Sequence, residues 1–97
     1  MPFYRVMLHG TNFPGHPIGE PDRRFELFTT RWVMALNETR AEYKAVKAVW
    51  DDPKLAIPYS ERPEERAVLR LVEIKRVRAL PLMRGGGATW YPQEEQE

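Results

Sequence analysis

The chain has 97 residues, of which 42% are hydrophobic and 30% are charged, and 15 basic against 14 acidic side chains give a formal net charge of +1. This length and composition are typical of one globular domain over residues 1–97 and argue against an intrinsically disordered chain. The absence of cysteine excludes disulfides, thiolate metal sites and cysteine nucleophiles, and the near-neutral charge is no signature of a nucleic-acid binder. No apolar run is long enough for a signal peptide or a membrane span, so we expect a soluble, cytoplasmic protein.

The first third of the sequence predicts two strands joined by a long loop. Residues 3–9 alternate as a strand should, and Gly10 ends it. Residues 10–23 hold three glycines and three prolines, which is typical of a loop. A second strand follows over residues 24–36. At 13 residues it is unusually long, so we expect a bulge at Thr29-Thr30, after which the inward register changes.

A sharply bounded helix is predicted over residues 40–51. Thr39 and Glu42 form a capping box, in which each side chain accepts a hydrogen bond from the backbone amide of the other. Asp52-Pro53 ends the helix, because the residue before proline avoids the α region. One broad face of this helix is apolar and consists of Ala41, Ala45, Val46, Ala48 and Val49.

The remaining chain predicts further strands. Residues 67–78 are better read as a strand than as a helix, since their β-branched residues would spread all around a helical wheel. Residues 53–63 form a loop with a candidate edge strand at 55–59. Gly85-Gly86-Gly87 breaks the chain before a last short strand at 88–92, and 93–97 is a frayed acidic tail. The result is a small α+β domain of β-β-α-β order, with one helix packed on a mainly antiparallel sheet.

Four features in chain order carry a resemblance to a group of small uncharacterised bacterial proteins. They are Phe28-Thr29-Thr30-Arg31 followed by Val33 and Ala35, then an alanine-rich helix, then Val72-Glu73-Ile74, and finally Thr89-Trp90-Tyr91-Pro92. The resemblance implies an α+β fold and assigns no catalytic or binding residues. The β-β-α-β order is also similar to that of some antitoxin and immunity proteins.

No catalytic, metal or cofactor residues are predicted. His9, His16 and Asp22 match no standard metal-ligand spacing. The glycines at 85–87 lack the following helix that a phosphate site needs, and Ser60 lies in no nucleophile elbow.

A basic set offers a nucleic-acid or antitoxin-like alternative. Between Arg66 and Arg84 there are six basic residues and one acid, Glu73, but no aromatic residues are interleaved among them as in single-strand binders. Strand edges also carry such charges merely to resist aggregation. The candidate contacts are Arg40, Lys44 and Lys47 on the helix, and Arg70, Arg76 and Arg78, which share one parity on the strand.

The leading hypothesis is a non-enzymatic interaction module, most simply a homodimer. If Val33 and Ala35 face the helix, their neighbours Trp32 and Met34 face away from it. One helix covers only one side of a sheet, so the other side is left apolar. The alternative is that the 10–23 loop or Trp90-Tyr91 covers that side. The residues expected there are Phe3, Met7, Trp32, Met34, Leu36, Leu69 and Leu71, with Met7, Trp32 and Met34 as the interface.

Overall fold

The computed structural model describes residues 1–55, 66–79 and 88–93. In chain order the elements are β1 (Phe3–Gly15), a 3-10 turn (His16–Ile18), β2 (Glu20–Met34), α1 (Glu38–Trp50), β3 (Val68–Val77) and β4 (Ala88–Pro92). The strands form one sheet in the order β3-β1-β2-β4, and every neighbouring pair is antiparallel. The predicted α+β fold with β-β-α-β order is confirmed, including the strand assignment of 67–78 and the short strand at 88–92.

The β1–β2 hairpin is longer than predicted, and the prediction of a long loop at 10–23 is wrong. β1 continues through Gly10 to Gly15, and β2 begins at Glu20, so only a short 3-10 turn joins them. Pairing across the hairpin supplies hydrogen-bond partners for the backbone groups of this glycine- and proline-rich segment. Glycine and proline content therefore misled the sequence prediction, because it reports local preference and not pairing.

The bulge lies in β1 and not at Thr29-Thr30. The register of β1 and β2 is unbroken from the pair Phe3↔Met34 to the pair Gly10↔Leu27. The next pair is Phe13↔Phe25, so β1 contains one extra residue between these pairs. Asn12 has a φ of 59°, the left-handed conformation that an asparagine tolerates. The inward register of β2 consequently does not change at Thr29, which is itself buried at 3% exposure.

The helix is confirmed, but its predicted start is wrong. α1 begins at Glu38, and its N-cap is Asn37, whose side chain accepts a hydrogen bond from the amide of Arg40 at 2.9 Å. Thr39 is therefore inside the first turn and does not cap it. At the other end Asp51 is the C-cap, close to the predicted stop. Within the described residues no helix is long and apolar enough to cross a membrane.

The core lies between α1 and one face of the sheet. The helix contributes Ala41, Ala45 and Val49, each with no exposed surface, so the helix approaches the strands closely. Ala48, which the sequence placed on this face, is exposed. The sheet contributes the buried side chains of Tyr4, Val6, Leu8 and Ala35, with Leu55 packed from the turn after the helix.

A second bulge sits in β3 and changes which residues face the core. Met7 pairs with Glu73 and Leu8 with Leu71, so Val72 is the extra residue. Leu69 packs against the core, and Leu71 lies opposite the buried Leu8. The prediction that these two leucines face away from the helix is therefore wrong.

Several predicted features lie outside the described residues. They are residues 56–59 of the candidate edge strand, Ser60, the break at Gly85–Gly87 and residues 94–97 of the acidic tail. Leu55, the first residue of the candidate edge strand, is described, and it is a buried turn residue.

Candidate interaction surface

The sheet face opposite α1, here called the open face, is organised in cross-strand rows. Directly paired residues of antiparallel strands point to the same side of the sheet. The residues that are paired across neighbouring strands therefore form one row. Successive rows on this face are two residues apart along each strand, except at the bulge in β3, where Glu73 and Arg70 are three residues apart. From one end they are Val77–Phe3–Met34, then Lys75–Arg5–Trp32, then Glu73–Met7–Thr30, and then Arg70–His9–Phe28–Thr89.

The first three rows hold an apolar patch, defined as Phe3, Met7, Trp32 and Met34. These four residues lie in three consecutive rows. Phe3 pairs with Met34, and Trp32 lies in the next row, between the row of Phe3 and Met34 and the row of Met7. Met34 is 45% exposed, and Phe3, Met7 and Trp32 are partly buried. The predicted interface residues thus form one contiguous surface.

A second cluster, the aromatic depression, occupies the other end of the open face. The imidazole of His9 stacks on Phe28 with centroids 4.6 Å apart, and Tyr91 meets Phe28 edge-on at 5.9 Å. The Glu26 carboxylate lies 3.0 Å from His9 Nε2 and is 42% exposed. Thr11, Pro92 and Gln93 complete the lining. Glu26 is the only carboxylate among these lining residues.

The sequence did not find this depression. Its members come from β1, β2, β4 and the bulge, and they share no short spacing in the chain. Glu26 lies beside His9 because the register of β1 and β2 places Phe28 opposite His9, and Glu26 is the next residue of β2 on the open face. In the sequence, the alternation of Glu26 and Phe28 on β2 places both on one face of the sheet. Predicting the depression from it would also have required the pairing of β2 with β1 and β4.

Neither predicted cover lies over the apolar patch. Residues 10–15 belong to β1, and β4 extends the sheet beside β2. Trp90 packs on the helix side, where its ring lies edge-on to Phe25 at 6.1 Å. Tyr91 lies on the open face but is 49% exposed and contacts Phe28 in the depression. Within residues 1–55, 66–79 and 88–93, the sheet therefore presents the patch outward.

The basic residues do not gather into one surface. The bulge at Val72 puts Arg70 opposite His9 on the open face and Arg76 opposite Tyr4 on the helix side, so the predicted shared face is wrong. Arg78 follows the end of β3 and is exposed.

The helix cations are mostly engaged within the protein. Lys44 donates to the carbonyl of Met34 at 2.7 Å, and Lys47 pairs with Asp51 at 2.7 Å. The hydrogen bond that Lys47 donates to the Asp51 carboxylate, together with the negative charge of that carboxylate, raises the pKa of Lys47. Arg40 is exposed. The set is thus dispersed, and part of its charge is neutralised locally.

An ion pair fastens the end of α1 to the sheet. Arg31 of β2 contacts the Asp52 carboxylate at 3.1 Å, and both side chains are largely buried, at 14% and 17% exposure. Burial alone would raise the pKa of Asp52. Hydrogen bonds from the Lys54 amide and from Arg31 outweigh that effect and lower the pKa. This pair holds the helix against the face opposite the apolar patch.

The described residues contain no group of three histidine or acidic side chains placed to hold a metal ion. The His9–Glu26 pair resembles the orienting half of a catalytic arrangement, but the lining of the depression adds no serine or cysteine nucleophile to it. What this surface offers is an apolar patch beside an aromatic, acidic depression. That combination suits binding.

No protein-family model, no curated protein and no solved structure matches the chain. The resemblance drawn from Phe28-Thr29-Thr30-Arg31 and Thr89-Trp90-Tyr91-Pro92 to small bacterial proteins stays a prediction. The function of the open face therefore has to be inferred from its own residues and their geometry.

Proposed function

We propose that this chain is a non-enzymatic, cytoplasmic interaction protein that forms a homodimer through the open face of its sheet. The observation that carries the proposal is the apolar patch of Phe3, Met7, Trp32 and Met34, which lies on the side of the sheet away from the only helix in the described residues. Apolar side chains clustered on one surface gain free energy when a partner removes them from water.

The size of the face supports a second copy that covers all of it. Three strands with ten residues each and the five residues of β4, about 4.8 Å apart and about 3.3 Å per residue, cover roughly 550 Å². A stable protein–protein interface takes about 800 Å² of accessible surface from each partner. Because side chains add relief to a flat footprint, the whole open face approaches that requirement, whereas the apolar patch alone is much smaller.

The charges of the open face are also compatible with burial against a copy of itself. Arg5 pairs with Glu73 at 2.7 Å, which balances that carboxylate, and the Glu26 carboxylate lies 3.0 Å from His9 Nε2. Arg70 and Lys75 remain as the exposed cations of this face. Such a mixed and nearly balanced surface suits a protein partner better than a polyanion.

The nucleic-acid alternative gains no support from the aromatic residues. Base stacking needs a free ring face, and His9 already covers one face of Phe28. A salt titration separates the two functions, since phosphate-driven binding weakens steeply with added salt and apolar association does not.

The proposal is tested by the oligomeric state of Trp32→Glu. A tryptophan near an interface centre commonly contributes about 2 kcal/mol or more, so the substitution should raise the dimer dissociation constant by roughly thirtyfold. Sedimentation over a range of concentrations measures that constant, and far-UV dichroism reports whether the fold is retained. Met34→Glu provides an independent variant, because Met34 is 45% exposed and its replacement disturbs the fold least.

Tyr43→Glu is the matched control. This variant also replaces a large hydrophobic side chain with an acidic one, but Tyr43 lies on α1 and is 68% exposed. It should leave the dimer unchanged. A wild type that stays monomeric at high micromolar concentration would refute the proposal, and so would a folded Met34→Glu variant that dimerises as well as the wild type.

A further inference from the structure

Resting on the proposed dimer, we infer that Arg70 of each copy enters the aromatic depression of the other and pairs with its Glu26. The partner's arginine would thereby complete a site that one chain presents only in part.

The distribution of apolar residues selects the symmetry axis. A two-fold axis along the strands, between β1 and β2, lays each row of the open face over the same row of the second copy. The apolar patch then faces itself, and the two sheets lie nearly aligned, as stacked sheets commonly do. An axis across the strands would instead press the apolar patch of Phe3 and Met34 onto the charged end of the face near Glu26. Burying a carboxylate against apolar side chains is unfavourable.

The selected axis brings oppositely charged strands together. In the order β3-β1-β2-β4 it places β1 over β2 and β3 over β4. Arg70 of β3 shares its row with Thr89 of β4, so it comes to lie over the β4 side of the second copy. Tyr91 and Glu26 are paired in the next row, about 7 Å further along the strands. Tyr91 is on β4, directly in line with Arg70 of the second copy, and Glu26 is on β2, about 4.8 Å to one side. The long side chain of an arginine bridges offsets of this size.

Arg70 is available for this contact. It is exposed, and among the described residues it makes no hydrogen bond or ion pair, whereas Arg5 on the neighbouring strand is paired with Glu73. Arg70 also extends from the row that begins the depression, opposite His9. A buried interface would leave its charge without a partner unless the second copy supplied one.

The depression has the chemistry that a guanidinium requires. Phe28 and Tyr91 are perpendicular, with an interplanar angle of 81°, so they form two walls of a corner. Aromatic rings attract a cation, and arginine is the side chain that most often uses this contact. Glu26 adds a carboxylate whose side chain is 42% exposed and keeps acceptor sites beyond the one facing His9.

A charge swap tests the inference. Arg70→Glu and Glu26→Lys, made singly, each place like charges at both symmetric contacts and should raise the dimer dissociation constant at least roughly tenfold. The double variant Arg70→Glu with Glu26→Lys restores opposite charges and should return the constant to within about threefold of the wild type. Arg76→Glu is the matched control, because it is an arginine of the same strand on the helix side of the sheet. It should change nothing.

The outcomes separate this inference from the proposed dimer. If the wild type dimerises and either single variant binds as well as it does, or the folded double variant is no tighter than the singles, the arginine contact is refuted and the dimer stands. If the wild type is monomeric, both fail. Recovery in the double variant, with no change in Arg76→Glu, supports the contact.

Discussion

Replacing Asn37 by alanine tests how α1 begins. The Asn37 side chain accepts one hydrogen bond, from the Arg40 amide at 2.9 Å, and its backbone is extended, with φ −156° and ψ 176°. Alanine adopts that backbone freely, so the substitution removes the hydrogen bond alone. Loss of an N-cap costs about 1 kcal/mol of unfolding free energy. In a domain of this length, that loss lowers the midpoint of thermal unfolding by about 4–8 °C.

Thr39→Ala is the control for the same experiment. Thr39 is the N-cap that the sequence pattern indicates, but it lies one residue inside α1, so its replacement should change the free energy of unfolding by less than about 0.5 kcal/mol. Urea unfolding followed by far-UV dichroism measures both variants under identical conditions. A loss for Thr39→Ala as large as that for Asn37→Ala would show that the capping assignment is mistaken.

Two further substitutions test the packing around the helix. Asp52→Asn should cost about 1–2 kcal/mol at pH 7, because it removes the charge that Arg31 contacts. Since folding lowers the Asp52 pKa from 3.8, this contribution is present above that pH and is lost as the pH falls through the folded value. Urea unfolding across pH should therefore show the two proteins converging below about pH 3.8, and a constant gap would contradict the assignment. Gly10→Ala should cost about 1–3 kcal/mol in the same assay, because its Cβ would lie 2.5 Å from the buried Phe13 ring and 3.1 Å from Leu27. An unchanged midpoint would mean that this ring is free to move.

The sequence by itself determined the fold class and the strands' chemical character. The alternation around Val33 and Ala35 placed Trp32 and Met34 on the side away from the helix, since side-chain direction on a regular strand follows parity. The β-branched residues of β3 predicted a strand, and Asp52-Pro53 predicted the end of α1 to within two residues. All of these features depend on local preference, which is readable without knowledge of any partner strand.

Only the tertiary structure decided where parity fails. The extra residue at the Asn12 bulge turns Phe13 into the core, and the extra residue at Val72 separates Arg70 from Arg76. A bulge exists only relative to a paired strand, so its position is a property of the register and not of either segment alone. The aromatic depression depends on the same register, because it sets Glu26 beside His9 and brings β4 alongside β2.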